Sequence, residues 1–292
     1  MNRRRMLKSM PALAACAVPV SATGAALERK ARLRPAICAY SYRDALKDKR
    51  MTYEDLVRLA AELDMDGIDM TVYWFPSTSD DFLLPVKRLA YKLGVEIYSI
   101  AIRTEMTQST PELQSKEVAE VKKWVDVAER LGAGHIRVFG GRVAKGATEQ
   151  QAAGWAAEVL KRAAEYSSSK GIILGLENHG GVTEKAATVI QIIKQVNSPW
   201  VGINLDTGNF RTNPYSQIEM CIPYAVNFQV KSDITGEDGK REPSDWDRIL
   251  KMAAQAGYRG YLALEYEGQE DVATAGPRLL KKLRELTHKY SA

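Results

Sequence analysis

The sequence predicts a (β/α)8 barrel that follows an export signal. Eight short apolar runs alternate with amphipathic stretches, and many of those stretches begin at a capping residue or end at a glycine. A doubly wound open sheet is the alternative, disfavoured because no Gly-x-Gly-x-x-Gly turn follows the first apolar run. The chain of 292 residues has room for eight such units and shows no sign of a second domain.

Residues 1–22 predict an export signal that takes no part in the fold. Its positive residues are Arg3, Arg4, Arg5 and Lys8, which precede an apolar stretch of small residues. The pattern around the arginines resembles a twin-arginine signal and predicts export to the periplasm or cell envelope. Cleavage is expected after Ala22, whereas a lipobox-like run ending at Cys16 makes a lipid anchor the alternative. Residues 23–34 are then a linker, and residues 35–292 form a single barrel domain.

Charge and cysteine content exclude several classes of function. The formal net charge of +5 includes four positive residues of the signal and no acidic ones there, so the remainder carries +1. A chain this close to neutrality lacks the basic surface that binds nucleic acid. Only Cys38 and Cys221 follow the signal, which does not suggest a disulfide framework. The apolar run of the signal is shorter than the roughly 20 residues that span a bilayer, so no membrane span is predicted.

Each predicted strand is a short run of mainly apolar residues. In chain order the runs are residues 36–43, 67–73, 95–102, 135–140, 172–179, 201–206, 225–231 and 261–267. The predicted capping residues of the intervening helices are Thr52, Thr110, Thr148, Thr183 and Ser244. Glycines that can close a helix stand at positions 94, 132, 171 and 257. Because near-continuous apolar strands are buried on both faces, the strands should form a parallel barrel inside a layer of helices.

Polar residues stand at or just beyond the C-terminal ends of the last four predicted strands. They are Glu177 and His179 on strand five, Asp206 and Asn209 on strand six, Gln229 and Lys231 on strand seven, and Glu265 and Glu267 on strand eight. In (β/α)8 barrels these strand ends converge on one active site. Taking one oxygen donor from each strand gives three carboxylates and one amide carbonyl. These are hard ligands, which suit Mg²⁺ or Mn²⁺ better than a thiolate-seeking metal. Without a cation, carboxylates so close together would have to share protons.

Four motifs carry a resemblance to a known family. Leu176-Glu177-Asn178-His179, Asp206-Thr207-Gly208-Asn209, Asn227-Phe228-Gln229-Val230-Lys231 and Glu265-Tyr266-Glu267-Gly268, in this order, resemble those of the xylose-isomerase-like TIM-barrel family of sugar isomerases and epimerases. The resemblance implies one divalent metal, Mn²⁺ or Mg²⁺ with Zn²⁺ as the alternative, held by Glu177, Asp206, Gln229 and Glu265. Gln229 is similar to the third ligand of hydroxypyruvate isomerases, whereas ketose 3-epimerases usually carry His there. Many members have His where this chain has Asn209.

This resemblance predicts a sugar isomerase or epimerase that works through a metal-stabilised enediolate. Glu177 and Glu265 are expected to serve both as ligands and as acid and base. The expected substrate contacts are His179, Lys231, Asn209 and Glu267, and for Lys231 an ion pair with the adjacent Asp233 is the alternative. Because free sugar phosphates are scarce outside the cytoplasm, the expected substrate is a small unphosphorylated sugar or keto-sugar. The oligomeric state is left open.

Other functions fit the same strand ends. A lyase or dehydratase acting on keto-sugars or 3-keto-glycosides would use the same residues, because enolisation can also expel a β-leaving group. A non-catalytic carbohydrate-binding barrel is the third reading. The apurinic-site endonuclease branch of the superfamily, which holds several zinc ions with many histidines, is disfavoured because the chain has three. His135, at the start of a strand, is predicted to be structural, and Arg137 and Asp69 are further inner-face charges.

Overall fold

Eight parallel strands close into a barrel in the computed structural model, which describes residues 30–236 and 238–291. The strands are β1 (Arg32–Cys38), β2 (Gly67–Thr71), β3 (Glu96–Ala101), β4 (His135–Phe139), β5 (Ile173–Glu177), β6 (Val201–Asp206), β7 (Ala225–Lys231) and β8 (Arg259–Glu265). Each strand pairs with the next in the chain, and β8 pairs with β1. The predicted (β/α)8 barrel is confirmed, and the closure between β8 and β1 excludes the open sheet.

Helices surround the barrel. They are α1 (Arg43–Lys47), α2 (Tyr53–Glu62), α3 (Asp80–Leu93), α4 (Pro111–Leu131), α5 (Glu149–Ser169), α6 (Ala186–Val196), α7 (Pro214–Cys221), α8 (Trp246–Gln255) and α9 (Val272–Tyr290). A short antiparallel hairpin of Asp233–Thr235 and Arg241–Pro243 follows β7. Within the part of the chain described, no helix has the length and apolar character needed to cross a membrane.

Local signals set the starts of most helices. Thr52, Thr110 and Thr148 cap α2, α4 and α5 as predicted, each accepting a hydrogen bond from a backbone N–H of the first turn. The prediction for α6 is wrong, because Thr183 ends a 3-10 turn and the helix begins at Ala186. The prediction for α8 is off by one residue, since Asp245 rather than Ser244 accepts the capping hydrogen bond.

The first strand differs from its prediction at both ends. It begins at Arg32, opposite Arg259 of β8, so the last residues of the predicted linker 23–34 belong to the barrel. It ends at Cys38, where the chain turns into a 3-10 helix, Ala39–Tyr42. Pairing with β8 satisfies the backbone N–H and C=O groups of β1. The apolar pattern of β1 alone does not reveal where this pairing starts. The predicted export signal and the anchor at Cys16 lie outside the described residues.

A chain of polar side chains crosses the barrel interior just below its C-terminal end. Tyr98 donates a hydrogen bond to Asn227, Asn227 to Asn204, Asn204 to Gln229, and Gln229 to Asp69, over distances of 2.8 to 3.1 Å. All five side chains are buried. Because each group donates to the next, the chain satisfies polar atoms that would otherwise destabilise the core. It forms the floor beneath the candidate site.

Candidate active site

A chamber of about 180 Å³ opens at the C-terminal end of the barrel. The predicted site residues that line it are Glu177, His179, Lys231, Glu265 and Glu267. Asp206 lies beneath it at the end of β6 and is fully buried, as is Gln229 on β7. Asn209 lies beside Glu177, and its amide donates to Glu177 Oε1 at 3.2 Å. The barrel therefore brings all eight predicted residues to one end.

Lys231 holds the centre of the site. Its Nζ lies 3.4 Å from Asp206 Oδ2 and 3.2 Å from Glu265 Oε1, and it also pairs with Glu267. Burial alone would lower the pKa of Lys231, but these three carboxylates raise it well above its ordinary value, so the side chain is an ammonium. The alternative pairing with Asp233 is wrong, because Asp233 Oδ2 lies 3.7 Å from Arg241 instead.

A glycine makes room for this lysine. A Cβ added to Gly208 would lie 2.8 Å from the Cβ and Cδ atoms of Lys231, closer than real Cβ atoms approach. The backbone N–H of Gly208 also donates to Asp206 Oδ1 at 2.8 Å. The turn after β6 therefore positions both members of the ion pair.

Glu177, the last residue of β5, is held between two partners. Arg137 Nε lies 3.0 Å from Glu177 Oε2, but its N–H does not point at the oxygen, so the contact is an ion pair rather than a hydrogen bond. Asn209 binds the other oxygen. Burial raises the pKa of Glu177 well above its usual value even though Arg137 acts in the opposite direction. A carboxyl with a raised pKa is suited to exchange protons near neutral pH.

Asp206 has one satisfied oxygen and one unsatisfied oxygen. Oδ2 is buried and has no hydrogen-bond partner among the residues described, while Oδ1 accepts from Gly208. Burial raises the pKa of Asp206 to about 7, although the nearby Lys231 lowers it. The end of β6 is also clamped to β5, because Asn178 donates to the Asp206 carbonyl and accepts from its N–H, at 2.8 and 2.9 Å. Asn178 thus joins the ends of β5 and β6.

Gln229 takes part in the floor of the site. Its carbonyl oxygen accepts from Asn204 at 2.8 Å, and its amide donates to Asp69 at 3.1 Å and weakly to Cys38 Sγ at 3.6 Å. A carbonyl oxygen has two lone pairs, so one remains for a second partner. Cys38 also donates to Glu265 Oε2 at 3.7 Å, which ties the floor to β8.

His179 lies at the mouth, above Glu177. Its ring packs against Phe139 with centroids 4.2 Å apart. The side chain is exposed, which leaves its polar atoms accessible from the chamber. His135, by contrast, is buried at the start of β4, as predicted for a structural residue, and its Nδ1 lies 2.8 Å from Ser99 Oγ.

The donors fit a hard divalent cation in kind and in charge. Four carboxylates, those of Glu177, Asp206, Glu265 and Glu267, face two cationic side chains, those of Arg137 and Lys231. Oδ2 of Asp206 is buried and accepts no hydrogen bond from the residues described, so beside its ion pair with Lys231 this oxygen can still ligate a cation. No three Asp, Glu, His or Cys side chains within residues 30–236 and 238–291 are drawn together closely enough to hold a metal. Three of the carboxylates converge on Lys231 instead, so an ion bound here would compete with that ammonium.

Sequence reasoning missed the partners of the predicted residues. Arg137 was only an inner-face candidate, whereas the structure pairs it with Glu177 and gives it hydrogen bonds to the Ile102 carbonyl and the Tyr73 hydroxyl. No signal within the sequence reveals this pairing, because it depends on the register of β4 and β5, in which Phe139 lies opposite Glu177 and Arg137 comes close to the same strand end.

Comparison with known proteins identifies the family. The sequence profile of the xylose isomerase-like TIM barrel family matches residues 57–283, more than half of the chain. The chain belongs to the xylose isomerase-like TIM barrel family. No curated protein matches this member of the family in sequence.

Solved structures share the fold of this xylose isomerase-like barrel. D-psicose 3-epimerase from Clostridium cellulolyticum, solved with D-tagatose, is 15% identical with a TM-score of 0.69. The match covers 89% of this chain and 98% of that chain. A xylose isomerase-like protein from Mycobacterium smegmatis in complex with magnesium is 18% identical, with a TM-score of 0.68 and the same coverages. A protein from Bacillus anthracis described as a probable 3-DHS dehydratase is 17% identical, with a TM-score of 0.67 and coverages of 87% and 98%. At these identities the likeness shows the fold alone.

Proposed function

We propose that this protein is a divalent-metal-dependent isomerase or epimerase of a small unphosphorylated sugar or keto-sugar. The observation that carries the proposal is that Glu177 and Glu265 line one small chamber, whereas Asp206 and Gln229 lie beneath it. Two carboxyls thus face a bound sugar, and two further oxygen donors lie behind them. Fold neighbours that bind magnesium or act as a sugar 3-epimerase support the same reading.

The residues in and beneath the chamber would have different roles in the reaction. A divalent cation bound by Glu177, Asp206, Gln229 and Glu265 would supply positive charge beside the oxygen that becomes negative when the sugar enolises. Glu177 and Glu265 would remove and return the proton next to the carbonyl carbon. Asn209 and Arg137 hold Glu177 in place, and His179 at the mouth would contact sugar hydroxyls. Lys231 and Glu267 lie on the β7 and β8 side of the chamber and would bind hydroxyls there.

A lyase acting on keto-sugars or 3-keto-glycosides is the second candidate. A wide groove of about 730 Å³ adjoins the chamber and shares Arg103, Phe139 and His179 with it. Such a groove has room for a leaving group attached to the sugar in the chamber. A Bacillus anthracis protein of the same fold is described as a probable dehydratase, which supports this candidate.

Metal analysis and proton exchange together test the proposal. The purified protein should contain one divalent metal, and sugars and keto-glycosides incubated with it in D₂O should take up deuterium at a carbon next to a carbonyl. Glu177→Gln and Glu265→Gln should keep much of the metal, because an amide oxygen can still bind it, while exchange falls by roughly 10²-fold or more. Metal-free protein and absence of exchange with every sugar would favour the non-catalytic carbohydrate-binding barrel.

A further inference from the structure

The groove beside the chamber is the larger of the two cavities at the barrel mouth. The chamber, at about 180 Å³, is smaller than the roughly 300 to 1,000 Å³ typical of pockets for drug-sized ligands, whereas the groove, at about 730 Å³, lies within that range. The chamber therefore suits a single sugar ring. A group attached to the ring can extend into the groove, because the two cavities adjoin and share Arg103, Phe139 and His179.

Three arginines from three different loops line this groove. Arg103 follows β3, Arg142 follows β4 and Arg211 follows β6, and all three are exposed. None of their guanidinium groups forms an ion pair with a carboxylate in residues 30–236 or 238–291. Arg103 instead stacks over the Tyr73 ring, 4.1 Å from its centroid, and so extends along the border between groove and chamber.

The glutamates that line the same groove are already engaged. Glu105 Oε1 accepts from the Thr107 hydroxyl at 2.7 Å and from the Arg142 backbone N–H at 2.6 Å. Glu117 Oε1 accepts from the Glu105 backbone N–H at 2.9 Å. Glu120 pairs with Lys123 at 2.8 Å. One oxygen of Glu105 and one of Glu117 thus hold the loops after β3 and β4, and Glu120 pairs within α4, whereas the three guanidinium groups form no ion pair with these glutamates.

We propose that the groove binds an anionic substituent of the substrate, a carboxylate or a sulfate attached to the sugar ring that enters the chamber. Guanidinium groups bind such oxyanions through paired, charge-assisted hydrogen bonds. The substrate would then be an acidic keto-sugar or keto-glycoside, whose ring keeps the carbonyl that enolisation requires, rather than a neutral sugar. This inference rests on the proposed function, because it places the reacting ring in the chamber.

Matched ligands test the inference without requiring turnover. Isothermal titration calorimetry would compare phenyl β-D-glucoside with its 4-carboxyphenyl and 4-sulfophenyl counterparts. We expect both anionic probes to bind about tenfold more tightly than the neutral one, the scale of one added charge-assisted hydrogen bond. The preference should shrink as salt is raised from about 50 to 500 mM, because the arginines are exposed. The tighter of the two anionic probes identifies the class of substituent.

Arginine variants assign the preference to the groove. In Arg103→Gln/Arg142→Gln/Arg211→Gln the anionic and neutral probes should bind equally, in Arg103→Lys/Arg142→Lys/Arg211→Lys part of the preference should remain, and Arg88→Gln, an exposed arginine on α3, should change nothing. Equal binding of all probes to the wild-type protein, or a preference that survives the glutamine variant, would overturn the inference.

Deuterium exchange separates this inference from the proposed function. Exchange without any probe preference removes the inference alone, and an arginine-dependent preference without exchange removes the proposed reaction alone.

Discussion

Replacing Lys231 with methionine should weaken the metal-free fold and strengthen metal binding. The lysine ammonium lies 3.4 Å from Asp206 and 3.2 Å from Glu265 and also pairs with Glu267. Breaking a buried ion pair by removing one partner costs about 3–5 kcal/mol. We expect the lower end, about 3 kcal/mol, because the carboxyls can take up protons, as the pKa of about 7 for Asp206 indicates.

Added metal should reverse this loss. In Lys231→Met the same carboxylates no longer share their charge with an ammonium, and two unit charges about 4 Å apart interact by about 4 kcal/mol at an effective dielectric constant of 20. A tenfold gain in affinity needs only about 1.4 kcal/mol, which is about a third of that energy. Mn²⁺ should therefore bind the variant at least about tenfold more tightly. Urea unfolding in EDTA and then in MnCl₂, with calorimetric titration of Mn²⁺, measures both effects.

An exposed lysine provides the matched control. Lys185 pairs with Glu149 at 3.2 Å on the surface, with 64% and 44% of the two side chains exposed. Lys185→Met should therefore change the free energy of unfolding by less than about 1 kcal/mol and leave Mn²⁺ affinity unaltered. The reasoning is refuted if metal-free Lys231→Met is as stable as the wild-type protein, or if it binds Mn²⁺ no more tightly.

Three further predictions follow from particular residues. Asp206→Ala should lower metal content and abolish activity together, and full metal occupancy measured in that variant would contradict its assignment as a ligand. Burial lowers the pKa of His135 to about 3, so the folded state resists a proton that the unfolded chain accepts below about 6.5. Stability should fall by up to about 1.4 kcal/mol per pH unit from pH 6.5 towards 3, and His135→Gln should flatten this part of the pH–stability curve. Changing Arg3 and Arg4 to Lys should keep the protein in the cytoplasm if the twin-arginine route exports it, whereas unaltered export in cell fractions would indicate the general secretory route.

Local sequence determined the number and order of the barrel strands and the polar residues near the C-terminal ends of the last four. Apolar runs, capping threonines and closing glycines are signals within a few neighbouring residues, so they predict elements without knowledge of the fold. Side chains two residues apart on a strand share one face, and in the structure both Gln229 and Lys231 of β7 point into the barrel. Once eight strand-helix units are recognised, the closed barrel brings the ends of β5 to β8 together.

Only the tertiary structure decided which of these groups touch. Lys231 meets carboxylates from β6 and β8 rather than its neighbour Asp233, and Glu177 meets Arg137 from β4. Such contacts depend on the stagger between strands and on side chains that cross the barrel, which no local pattern encodes. The amide chain through Gln229 and the arginine-lined groove are of the same kind, since each joins loops or strands that are far apart in sequence. Periodicity is a property of one segment, whereas a binding site depends on several segments that the fold brings close together.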